Sequence, residues 1–135
     1  MKTKIIIAAI IVTCISVLPV CAFDINRTSR IPPAPRLMYP VTDNIDLSSK
    51  PVVEFRWIGY DTMWIDHYEF RLYKGYQTYA DNLIMKKEIS SAESTLAIGA
   101  DTFEVGQVYT WSLAQVATDG TKGDRSFSPF IIINK

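Results

Sequence analysis

His67 is the one histidine of a 135-residue chain, with Asp66 just before it and Glu69 just beyond. An imidazole beside carboxylates supplies two members of a nucleophilic triad; the third must be a serine or cysteine activated by that base. No serine sits in a strained elbow, and both cysteines, Cys14 and Cys21, fall within the first 22 residues. His67 is therefore expected on the solvated face of a strand and not in an active site. A Cys/His zinc centre needs thiolates that the chain beyond residue 22 does not carry. Asp61, Asp66 and Glu69 supply carboxylates, but their spacing singles out no acid and base facing each other across a cleft, as sugar hydrolysis requires. Asp119 and Asp124 offer hard oxygen ligands at a hairpin, without the ligand pattern of an EF-hand. The expectation is no catalytic group, no cofactor and no metal.

Aromatic residues outside the regular apolar pattern are the better candidates for function. Tyr60 and Trp64 precede one strand, and Tyr76 and Tyr79 lie in the polar, glycine-containing loop after it. Rings on loops make good contacts for protein hot spots and for sugar faces. Trp64 is the one of the four suited to capping the core, since tryptophan is buried on average. The two loops are expected at opposite ends of the strand between them, so they need not form one patch.

The elements that position these residues follow from alternation. In residues 103–116, FEVGQVYTWSLAQV, Tyr109, Trp111 and Leu113 alternate with Thr110, Ser112 and Ala114, the period of a strand packed on one side. Val53, Phe55 and Trp57 alternate with Glu54 and Arg56. Ile65, Tyr68, Phe70 and Leu72 stand opposite His67, Glu69, Arg71 and Tyr73. An edge strand over Arg36–Tyr39 is stopped by Pro40. Turns are expected at 42–44 and 48–51, a weaker strand at 83–89, and a short one carrying Leu96 and Ile98. A two-glycine hairpin loop at 119–124 then leads to a last strand over 126–133, with Phe130 and Ile132 facing in. No helical period follows residue 22, and turn signals recur at roughly 8–12 residues, the rhythm of an all-β sandwich. The expected inward set is Val53, Phe55, Trp57, Tyr68, Phe70, Leu72, Leu96, Ile98, Phe103, Tyr109, Trp111, Leu113, Phe130 and Ile132. Gln115, at the end of its strand, is read as a loop-supporting hydrogen-bonder whose amide needs partners.

Phe103-x-Val105-Gly106-x-x-Tyr109, with its alternating continuation, resembles strand F of a fibronectin type III domain, where the usual form is Leu-x-Pro-Gly-x-x-Tyr. Phe stands here for Leu and Val105 for Pro. Trp57 is similar to the core tryptophan of that family's strand B, and Ile65-x-x-Tyr68 to the start of its strand C. The resemblance covers about residues 35–135. It implies an antiparallel sandwich of about seven strands, with Tyr109 hydrogen-bonded back to backbone just upstream. Type III domains can present Arg-Gly-Asp in the loop where this chain has Gly123-Asp124-Arg125. The order is reversed, so integrin-type adhesion is not implied.

Residues 1–22 read as a secretory signal peptide. Lys2 and Lys4 form the positive end, an apolar run follows, and Val20-Cys21-Ala22 gives a small-residue cleavage pattern ending at Ala22. The run is shorter than the roughly 20 apolar residues of a membrane span and is broken by Pro19. Val20 and Pro19 ahead of Cys21 disfavour a lipoprotein anchor at that cysteine. Residues 23–34, with Pro32 and Pro33, read as a proline-rich linker into the domain at 35–135; Asn26-Arg27-Thr28 fits a glycosylation acceptor. Beyond the leader stand 12 basic and 14 acidic residues, a net charge of −2 with no basic stripe, which gives nucleic-acid binding no electrostatic footing. The expected protein is secreted or periplasmic and non-catalytic, serving protein–protein interaction or spacing. The alternative is an accessory carbohydrate-binding module that uses the loop aromatics.

Overall fold

The computed structural model describes residues 30–135. The expected leader, its cleavage after Ala22, acylation at Cys21, the acceptor at Asn26 and the first part of the 23–34 linker lie outside the described residues. Eight strands follow one another: β1 (Arg36–Tyr39), β2 (Asn44–Asp46), β3 (Val52–Ile58), β4 (Ile65–Lys74), β5 (Leu83–Ser90), β6 (Thr95–Gly99), β7 (Val108–Ala117) and β8 (Lys122–Asn134). They form a three-stranded sheet, β1-β3-β6, and a five-stranded sheet, β2-β8-β7-β4-β5. The fold is an all-β sandwich, as the alternation requires.

The core lies between the sheets and contains every residue of the expected inward set except Leu96, which packs against it half-buried. Phe55 sits at its centre, edge-on to Phe70, Trp111 and Phe130 at ring-centre distances of 5.1, 5.0 and 5.7 Å. Such T-shaped contacts set the positive edge of one ring against the negative face of the next. The Trp111 indole N–H donates to the Pro40 carbonyl at 2.8 Å, so the wide ring is buried without stranding its polar atom.

Strand β2 adds to the expected set. A turn was expected at 42–44, but Asn44 already opens a three-residue strand that runs parallel to β8, pairing Asn44 with Ile131 and Ile45 with Ile132. Three residues are too few to carry an alternation signal. What fixes β2 is the apolar pair Ile45 and Leu47, both buried, and the otherwise open edge of β8. The last strand also begins earlier than expected, at Lys122, which shortens the hairpin loop.

Residues 32–46 run alongside β8 for most of its length. Asp124 N–H donates to Pro32 O at 3.1 Å, the Ser126 hydroxyl to Pro35 O, Thr42 N–H to Pro129 O at 2.9 Å and Ile131 N–H to Asp43 O at 3.1 Å. Pro32 is fully buried, and a side chain at Gly123 would collide with its carbonyl at 2.5 Å.

At the start of β7 the expected tyrosine corner is present. Gly106 turns the chain at φ 80°, a conformation open to glycine, and the Tyr109 hydroxyl accepts a hydrogen bond from Glu104 N–H at 2.8 Å. Tyr109→Phe should lower stability by about 0.5–1.5 kcal/mol, the worth of one such bond. Urea melts check this; a variant equal to the parent would mean that Glu104 N–H is satisfied by water instead.

Candidate functional site

The four loop aromatics fall at two ends of β4, as expected. Ten residues of strand separate the ends by about 30 Å. At one end Tyr60 is partly exposed and Trp64 half-buried. The backbone beneath Tyr60 is tied down by Gln115, which is fully buried. Its Oε1 accepts from Tyr60 N–H at 2.9 Å, and its Nε2 donates to Tyr60 O at 2.9 Å and to Pro33 O at 3.0 Å. The glutamine thus satisfies its buried amide by clamping a loop and the incoming chain together.

At the other end Gly75 (φ 84°) turns the chain out of β4. It is held by Gly75 N–H to Val108 O at 2.7 Å and by the Thr110 hydroxyl to Gly75 O at 2.8 Å. The turn throws Tyr76 and Tyr79 outward, 70% and 68% exposed. Asn82 closes the loop behind them through its amide to Gln77 O at 3.2 Å and its N–H to Tyr79 O at 3.0 Å. Tyr76 borders a groove whose other walls include Val108, Pro129 and Ile131.

That groove opens onto the outer face of the five-stranded sheet, which the alternation leaves as simple solvated surface. The structure builds it differently. Along β8 the outward positions are Phe127, Pro129, Ile131 and Ile133, with Phe127 and Ile133 about half exposed. Beside this apolar stripe the outward positions of β7 are small, Thr110, Ser112 and Ala114, and all three are buried. Long side chains from both neighbouring strands fold over them. Arg125 reaches from β8 across Ser112, donating to its hydroxyl at 2.9 Å and to Glu69 O at 3.0 Å.

Glu69 lies at the centre, its side chain only 4% exposed. Its Oε1 meets Arg71 at 2.5 Å, Arg125 at 2.9 Å and Lys86 at 3.9 Å, and its Oε2 meets Lys122 at 3.2 Å. Burial works against the ionised carboxyl. The Lys122 hydrogen bond and the charges of Arg71, Arg125 and Lys122 outweigh it and hold Glu69 below the usual carboxylate range. Burial, with repulsion from Arg71, lowers the Arg125 guanidinium in turn.

His67 stands on the same face, half-buried, with Nδ1 2.7 Å from Asp66 and Nε2 3.7 Å from Glu88. Among the described residues these two carboxylates are its side-chain partners, and no serine hydroxyl is bonded to it. Among the described residues no group of three His, Cys, Asp or Glu is placed to hold a metal ion. At the hairpin, Asp119 accepts from Thr121 N–H at 2.9 Å, which is the local bond of a turn residue.

Alternation missed the charge cluster around Glu69 because it assigns faces and does not say which outward groups are covered. The small side chains at 110, 112 and 114, flanked by Arg71 and Arg125, were the available signal.

No protein-family model and no curated protein matches the chain. Solved structures do. A fibronectin(III)-like module structure of CbhA from Clostridium thermocellum superposes with a TM-score of 0.52 at 11% identity, covering 74% of this chain and 97% of that one. A beta-1,2-glucanase from Parabacteroides distasonis matches at a TM-score of 0.47 and 13% identity, over 78% of this chain and 14% of the enzyme.

Proposed function

With a fibronectin type III-like sandwich as its scaffold, we propose that this protein is an exported, non-catalytic interaction module that binds a protein partner through its β4–β5 loop and the sheet face beside it. The observation that carries this is the exposure of Tyr76 and Tyr79 on a loop held by its own hydrogen bonds, with Tyr76 bordering a groove of mixed polar and apolar lining. Large rings presented on a preorganised loop lose little entropy on binding and make strong contacts. Export rests on the leader pattern in residues 1–22. The groove beside Tyr76 mixes Val108, Pro129 and Ile131 with the polar Thr42, Asp43 and Asn44, a composition that suits a protein surface, whereas a sugar is gripped mainly by ring faces.

The test is the double variant Tyr76→Ser/Tyr79→Ser against a partner captured from envelope or culture fractions. Affinity should fall at least about tenfold, or 1.4 kcal/mol. Stability should stay within about 0.5 kcal/mol, as for surface changes remote from the core, and His67→Ala should alter neither. A His67→Ala variant that abolishes a measured activity while the tyrosine pair is silent would overturn the module reading. Binding on a glycan array with no protein captured would favour the carbohydrate alternative.

A further inference from the structure

Resting on the interaction-module reading, we infer that the open edge of β5 takes up a strand from the partner, one that turns a carboxylate between two apolar side chains toward the core side. β5 ends the five-stranded sheet, and among the described residues no strand pairs with its outer edge. It begins at Leu83, directly after the turn that closes the Tyr76 and Tyr79 loop, so edge and loop follow one another. The register with β4 sets its faces. Met85, Lys87 and Ile89 stand opposite Leu72, Phe70 and Tyr68 and lie on the core side, while Lys86 and Glu88 lie on the outer side. A register shift at Ile84 ends the regular run at one end, and the turn after Ser90 ends it at the other.

The core side of this edge is incompletely covered. Ile89 is buried, but Met85 packs half-buried against the core, as does Leu96 on β6, the edge strand of the small sheet to which residues 91–94 lead. Between Met85 and Ile89 stands Lys87, exposed and, among the described residues, without an ion pair. Its neighbours along and across the strands on that side are Met85, Ile89 and Phe70, while Glu69 and Glu88 lie on the other face. An added strand bonds through its backbone and is selected by its alternate side chains. Apolar residues opposite Met85 and Ile89 extend the core, and an acidic residue opposite Lys87 gives a favourable cross-strand pair. The remaining side chains meet Lys86 and Glu88, one of each sign, and are less restricted. A second copy does not fit. Two-fold pairing that matches the apolar ends sets Lys87 against Lys87, and the next registers that keep the core sides together set it against Met85 or Ile89. A lysine on the inward side of an edge strand thus refuses this chain's own copy and admits a complementary strand.

The experiment is an NMR titration of the 15N-labelled protein with two short synthetic peptides. In one, threonine alternates with valine, glutamate and valine; in the other, lysine replaces the glutamate. Backbone shifts should centre on residues 85–89, and the glutamate peptide should bind at least about tenfold more tightly. Methylating its backbone nitrogens should abolish the shifts. Lys87→Glu should reverse the preference, and since the side chain is exposed the fold should be kept. Equal binding of the two peptides, a preference unchanged by Lys87→Glu, or shifts confined to residues 76–79 would overturn the inference. So would concentration-dependent shifts at 85–89 in the protein alone, which would make a second copy the occupant. None of these results touches the module reading, which is tested separately by the tyrosine variant.

Discussion

Glu69→Gln should lower the unfolding free energy by about 3 kcal/mol at neutral pH. The substitution keeps the shape of the side chain and removes the charge that Arg71, Arg125, Lys86 and Lys122 converge on. Arg125 is mostly covered; it would keep its bonds to Ser112 and to the backbone carbonyl of residue 69 but lose its opposite charge while still facing Arg71. The partial exposure of the two lysines places the figure at the low end for a broken buried pair. The pH dependence identifies the cause. The folded carboxyl is held below its ordinary value of about 4.3. Its contribution is therefore complete above that value and is lost as pH falls through the lower, folded-state value. The gap between parent and variant should be full at pH 7 and shrink steadily in acid. Urea melts across that range measure it. A gap that is the same in acid would mean that the loss does not come from the carboxylate charge.

Phe55→Ala should cost more, about 3–5 kcal/mol. Phe55 is completely buried and touches three other rings, from Phe70 on β4, Trp111 on β7 and Phe130 on β8. It is the contact through which the small sheet meets three strands of the large one. Phe70 and Trp111 also lean on each other at 6.0 Å and Phe130 stacks on Tyr109, so these rings have little room to close over the space left behind. Ile58→Ala, on the same strand but about half exposed, is the control and should stay within about 0.5 kcal/mol. If Phe55→Ala were as mild as the control, the sheets would have to pack elsewhere than through this ring.

The fold was legible because alternation with a step of two needs only one strand at a time. Val53-Phe55-Trp57 and Tyr109-Trp111-Leu113 each state which side they bury, and the structure buries those sides. The loop aromatics were legible for a similar reason: Gly75 breaks the pattern just before Tyr76. Strand β2 was hidden because its evidence lies in β8, almost ninety residues on. The Glu69 cluster was hidden because an outward glutamate in a strand looks like any other. Its burial depends on Arg125 crossing from a neighbouring strand over the small Ser112, a relation between strands that no single stretch contains.

The lacing of residues 32–46 along β8 also determines how the domain meets a pulling force. The two segments run parallel, so a load drawn out through the start of the described chain and through Lys135 acts along both strands in opposite directions. The bonds from Pro32–Asp124 through Pro35–Ser126 and Thr42–Pro129 to the β2 pairing then share that load together in shear. An antiparallel hairpin pulled from its open end would instead release its bonds one after another. A module placed in series between two attachments is, by this geometry, loaded along its strongest direction, and extension should begin only when the whole seam slides at once.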